Sequence, residues 1–228
     1  MNNLQAQAYK IIRKKIIYSE LEPGQKISEK NLTDMLQIGR TPIREALLQL
    51  RQQELIYTIP QSGTYVSPID LTSARNARFV REQLERKIMI ECCTKIDDKA
   101  KSVLELIINR QEEAAELQDR KAFFQADNKF HETCFGIANR KEIWNWLDDY
   151  NIHLERFRWL RVTINGLKWF PIIEQHQQLF NALSAKYTDE VDFLTATHLH
   201  MMLDEQKFIV ERYPDYFKQS QINQSYDV

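Results

Sequence analysis

A chain of 228 residues with 43% hydrophobic and 28% charged side chains has the balance of an ordinary globular protein, long enough for two modest domains, and is not disordered. Only 5 Gly and 6 Pro argue against a many-turned all-β fold, so long helices with short connections are predicted. Lys10, Arg13, Lys14 and Lys15 interrupt the N-terminal apolar residues, which excludes a signal-peptide core or membrane span there and implies a cytoplasmic protein.

The three cysteines, Cys92, Cys93 and Cys134, are odd in number and lack CxxC spacing, so they read as small buried apolar residues rather than a disulfide framework or a zinc site. The formal charge is −1, but residues 1–67 hold 9 Lys and Arg against 6 Asp and Glu, and the remainder 22 against 26. An asymmetry this mild does not by itself indicate nucleic acid; the placement of the basic residues has to.

Leu4, Ala8, Ile11, Ile12 and Ile16 form the stripe of an amphipathic helix, and Leu21-Glu22-Pro23-Gly24 then supplies the residues of a type II turn. Ser28 caps a short helix predicted to carry Leu32, Met35 and Leu36 inward, and Ile38-Gly39 breaks it. A second helix is predicted from Pro42 to Gln52, with Thr41 as N-cap and Pro42 in its first turn. It buries Ile43, Ala46, Leu47 and Leu50 and leaves Arg44, Gln49 and Arg51 outward, with Arg40 and Thr41 at its leading end. Arginines at the N-terminal end of such a helix reach guanine edges in a major groove, and its free amides meet phosphate. Two β-rich runs, Leu55 to Ile59 and Thr64 to Val66, flank Pro60-Gln61-Ser62-Gly63 and predict a hairpin wing. Gly63 at its tip would let backbone approach DNA.

These residues resemble the GntR DNA-binding domain. The resemblance rests on Tyr9, Ile12, Ile16, Pro23-Gly24, Ile27-Ser28-Glu29, Leu32, the run Arg40 to Leu47, Leu50, Leu55-Ile56 and Gly63-x-x-Val66. It implies that Lys30, Arg40, Thr41, Arg44 and Gly63 stand where the family contacts operator DNA. The sequence departs from the family at Gly39, where Ser, Thr or Asp-like residues are usual, and after Glu54, where a Gly usually follows the Glu but this chain runs directly to Leu55.

Beyond Pro68 the pattern is helical throughout, at about 70–93, 98–118, 120–136, 140–164, 171–186 and 189–212, which predicts a six-helix bundle. The domain reading is therefore a winged helix-turn-helix over 1–67, an all-helical effector and dimerisation domain over 68–213, and a polar tail over 214–228 expected to fray. All five histidines fall between residues 131 and 200. Asp127 and His131, four apart, share one helix face. His176 and His198 lie at equal distances from the turn at Lys186-Tyr187-Thr188-Asp189, so antiparallel helices place them level. Three imidazoles and a carboxylate suit Zn, Ni, Fe, Mn or Co; the same residues also read as satisfied core histidines. His200 points about 200° around the helix from His198 and is excluded, as is His153. Trp144, Trp146, Trp159, Trp169 and Phe170 read as core or dimer surface.

This half resembles the FCD effector domain, through Asp127-x-x-x-His131, Glu174-Gln175-His176 and His198-Leu199. The resemblance implies a metal held by Asp127, His131, His176 and His198, a cavity-facing Arg81 that pairs with a small carboxylate effector, and the role of a DNA-binding repressor, not an enzyme. For Arg81 an i, i+4 surface pair with Glu85 is the competing reading. Arg156, Arg158 and Arg161 either line the cavity or solvate a face. Because one winged helix reads one half-site, a homodimer on a pseudo-palindromic operator is expected. A metalloregulator answering to the metal itself is the second reading; a metal-dependent hydrolase using Glu132 or Glu174 is the third.

Overall fold

The computed structural model describes residues 3–219, and two compact units divide them: the chain up to Leu71 together with the segment from Val210 onward, and Thr72–Ile209.

In the first unit, helix α1 (Asn3–Ile17) leads into the expected turn, where Gly24 takes a φ of 78° and Gln25 N–H donates to Glu22 O at 3.0 Å. A two-residue strand β1 (Lys26–Ile27) follows, too short to leave a periodic trace in the sequence. Helix α2 (Glu29–Leu36) starts at Ser28, whose Oγ accepts from Asn31 N–H at 3.1 Å, and ends on Gln37 in the left-handed conformation. Its buried residue is Leu32; Met35, expected inside, is 45% exposed. Helix α3 (Arg40–Gln52) begins two residues earlier than predicted. Gly39, not Thr41, is its N-cap and offers no side-chain acceptor. Pro42 is tolerated within this first turn because the amide it lacks would have no intrahelical acceptor. Ile43, Ala46, Leu47 and Leu50 are buried as expected. The α3 C-terminus turns on Glu54 at a φ of 57°, a left-handed conformation that suits glycine and strains the glutamate found there.

Strands β2 (Ile56–Ile59) and β3 (Gly63–Val66) form the hairpin, and β1 pairs antiparallel with β3 on its other side, giving the order β1-β3-β2. The expected polar tail begins with an ordered stretch. A 3-10 turn (Pro214–Tyr216) delivers Phe217, which is 1% exposed and pairs in parallel with Ile69, while Lys218 forms an ion pair with Asp70. The rest of the predicted tail, 220–228, lies outside the described residues.

The second unit is built from α4 (Leu71–Lys95), α5 (Asp98–Glu116), α6 (Arg120–Ile137), α7 (Lys141–Tyr150), α8 (Ile152–Thr163), α9 (Phe170–Ala185) and α10 (Thr188–Arg212). Asp97 and Asp119 cap α5 and α6 by accepting from Ala100 and Ala122 amides. The single helix predicted over 140–164 is two, divided at Asn151, so the bundle has seven helices, not six. α7 is amphipathic with Trp146 and Tyr150 exposed, whereas α8 is buried on all sides, from Ile152 through Val162 except Arg158, which is half-buried. One straight helix cannot present both patterns to the same core. Within the described residues no helix is long and apolar enough to cross a membrane.

Candidate metal centre and DNA-reading head

Asp127 and His131 occupy neighbouring turns of α6, His176 sits in the middle of α9 and His198 on α10, with the turn around Lys186 joining the last two helices. The levels predicted from spacing meet: His176 Nε2 lies 3.3 Å from His198 Nε2, which lies 3.3 Å from His131 Nε2. Asp127 Oδ1 is 3.8 Å from His176 Nε2, and one donor atom from each of the four residues falls within 4.8 Å of the others. Asp127, His131 and His176 are buried and His198 is half-buried.

The outer ring nitrogens are held from behind. His176 Nδ1–H donates to Gln111 Oε1 and His198 Nδ1–H to Gln175 Oε1, each at 2.8 Å, and His131 Nδ1 lies against Glu85 Oε1. With the proton on Nδ1, the Nε2 lone pair of His198 faces those of His176 and His131 at 3.3 Å each, an arrangement that is repulsive unless a cation lies between them. That separation is also roughly what two nitrogens about 2 Å from one tetrahedral ion adopt. Burial pushes His131 well below its ordinary pKa and His176 and His198 down to about 3, so the imidazoles are neutral donors. Burial would raise the Asp127 carboxyl, but the adjacent Arg158 guanidinium and the three imidazoles together outweigh it and keep the group ionised. The residues present therefore fit a divalent transition metal, and Zn, Ni, Fe, Mn and Co all suit this donor set.

The ring of supporting groups was mostly missed in the sequence. Arg158 bridges Asp127 and Glu155, and Asn128 ties to both Arg158 and Glu155 at 2.8 Å. Arg81 does pair with Glu85, at 2.8 Å, but the two are 2% and 0% exposed, so this is no surface pair. A cavity of about 70 Å³ opens beside the cluster. Asp127, His198, Arg81, Arg158 and Arg161 line it, whereas Arg156 is buried without reaching it, and His200 is exposed and directed toward Asp204. Trp159 and Trp169 are core; Trp146 and Phe170 are exposed. The carboxylates considered for hydrolysis are not at the cluster: Glu132 pairs with Lys129, and Glu174 is exposed.

In the first unit, Lys30, Arg40 and Thr41 are exposed at the leading ends of α2 and α3. Arg44 is exposed too, but its guanidinium is engaged by Glu29, with Nε on Oε1 at 3.0 Å and Nη2 on Oε2 at 3.1 Å. Gly63 opens β3 at a φ of 143°, a backbone conformation that strains any residue with a Cβ. Its need for glycine thus has an internal cause that holds whether or not DNA is bound.

Residues 4–66 match the family described as bacterial regulatory proteins, gntR family, and residues 77–201 match the FCD domain. The HTH-type transcriptional repressor RspR of Escherichia coli is 27% identical over 213 residues, 93% of each chain. The Nta operon transcriptional regulator of Aminobacter aminovorans is 23% identical, over 80% of this chain and 85% of its own. Among solved structures, E. coli McbR/YncC superposes with a TM-score of 0.78 at 19% identity, covering 93% of this chain and all of its own. A GntR regulator of Rhodococcus sp. RHA1 gives 0.70 at 20% identity, covering 92% and 98%.

Proposed function

Since the chain belongs to the GntR family of DNA-binding transcription regulators and carries its FCD effector domain, we propose that it is a cytoplasmic repressor whose grip on operator DNA is set by a small carboxylate bound at a metal in the helical bundle. The carrying observation is the convergence of three back-tied imidazoles and one ionised carboxylate on a single point beside an arginine-lined cavity. Asp127, His131, His176 and His198 would hold the metal. When bound, it would supply a Lewis-acidic position for a ligand oxygen. Arg81, buried with its Nη2 lacking a hydrogen-bond partner, supports a second contact to that ligand. The repressor role accords with that of RspR. A regulator answering to the metal alone accounts less well for the cavity. The family is one of regulators rather than enzymes.

Operator reading is assigned to Lys30, Arg40, Thr41 and Arg44, with two copies on a twofold operator and domain limits near residues 67 and 213. The uncapped first turn of α3 supports it, because its free amides suit phosphate. Arg44 must exchange Glu29 for DNA. Arg44→Ala should weaken operator binding by about 1 to 3 kcal/mol and relax base preference at one position per half-site. Gel-shift titration on the parent and mutated operators checks this, and unchanged affinity and preference would refute the recognition-helix assignment.

A further inference from the structure

The cavity looks strongly basic, since Arg78, Arg81, Arg158 and Arg161 all line it. Each, however, already has a carboxylate. Arg78 pairs with Glu82, Arg81 with Glu85, Arg158 with Asp127 and Glu155, and Arg161 with Glu205. Apart from the metal-facing Asp127, Glu205 is the one acidic residue among the lining groups, and it lies past residue 201, where the FCD match ends. It stands two helical turns beyond His198 on α10, on the same face and about 10 Å along the axis. The Arg161–Glu205 contact is bidentate, at 2.6 and 2.9 Å, and Arg161 Nη2 also donates to Lys168 O. Arg161 Nη1 remains buried without a hydrogen-bond partner. The other lining residues are apolar: Leu154, Phe157, Ile172, Leu199, Met201 and Met202.

We propose that the Arg161–Glu205 pair is a charge filter: the cavity takes an acid with one carboxylate at the metal end and an uncharged hydrogen-bonding group at the other, and rejects diacids. This rests on the carboxylate-effector reading given above. A hydroxyl or amide at the Glu205 end can accept from Arg161 Nη1 and donate to the Glu205 carboxylate. A second carboxylate there meets the like charge of Glu205, which already takes up the charge of Arg161 through the bidentate contact.

The test is calorimetric binding to the full-length, metal-loaded protein of matched probes, from 3-hydroxypropanoate with malonate through 6-hydroxyhexanoate with adipate. The best-fitting hydroxy acid should bind about tenfold or more tighter than the diacid of its own length. Glu205→Gln, nearly isosteric, should improve diacid binding about tenfold and leave the hydroxy acid within a few-fold. Diacids binding the parent as tightly as their partners, or a folded Glu205→Gln protein with an unchanged ratio, overturns the filter. If the variant does not fold, the parent's ratio alone decides. Binding by no member of either series refutes the carboxylate-effector reading itself, and the filter with it.

Discussion

Acidifying the metal-free protein from about pH 7 to about pH 5 should remove several kcal/mol of its stability. His131 and His176 are fully buried and neutral, with pKa values pushed below the roughly 6.5 they regain on unfolding. Below that value the unfolded chain binds protons that the folded chain refuses, so stability is present above about pH 6.5 and drains away as pH falls toward about 3. Two such groups give a slope approaching about 3 kcal/mol per pH unit, and the half-buried His198 adds to it. Set against a total stability of roughly 5 to 15 kcal/mol, the loss is large. Urea midpoints measured across this range check it; a midpoint that stays level down to about pH 5 would mean that the imidazoles are already charged or solvated when folded.

Glu85 carries the second large effect. One carboxylate oxygen holds the buried Arg81 at 2.8 Å and the other lies against His131 Nδ1. Glu85→Leu strands the Arg81 guanidinium without its counter-charge and should cost about 3 to 5 kcal/mol. Glu85→Gln keeps the shape and an acceptor but removes the charge that polarises the His131 ring. It should weaken metal binding by about 10 to 100-fold in competition with a chelator. Parental metal affinity in a folded Glu85→Gln protein would reduce Glu85 to a partner of Arg81 alone.

The contrast between Glu85 and His131 shows how far the sequence could be read. Asp127 and His131 were legible because a four-residue step on a helix fixes a shared face, and His176 and His198 because a turn midway between them fixes a shared level. Nothing local distinguishes Glu85 from an ordinary solvent-facing partner of Arg81; only the packing of α6 against it does. Gln111 did leave a trace, since it interrupts the inward stripe Leu104, Ile107, Ile108, Ala114 and Ala115, where a polar residue needs a buried partner. The break at Asn151 carries no Gly or Pro, and α8 wraps charged residues into an almost wholly buried helix, so neither feature is visible in hydrophobic periodicity. At α3, the strong capping chemistry of Thr41-Pro42 pointed to the right helix but the wrong first residue, because Gly39 caps through backbone alone.

Metal content bears most directly on the claim that this regulator works through its bundle. Elemental analysis of the purified parent should find about one transition metal per chain, and an Asp127→Ala/His176→Ala protein none, with operator binding by the parent, but not the variant, responding to a bound hydroxy acid. Equal, empty metal content in both proteins would make the three histidines a structural core and leave only the DNA-reading half of the account standing.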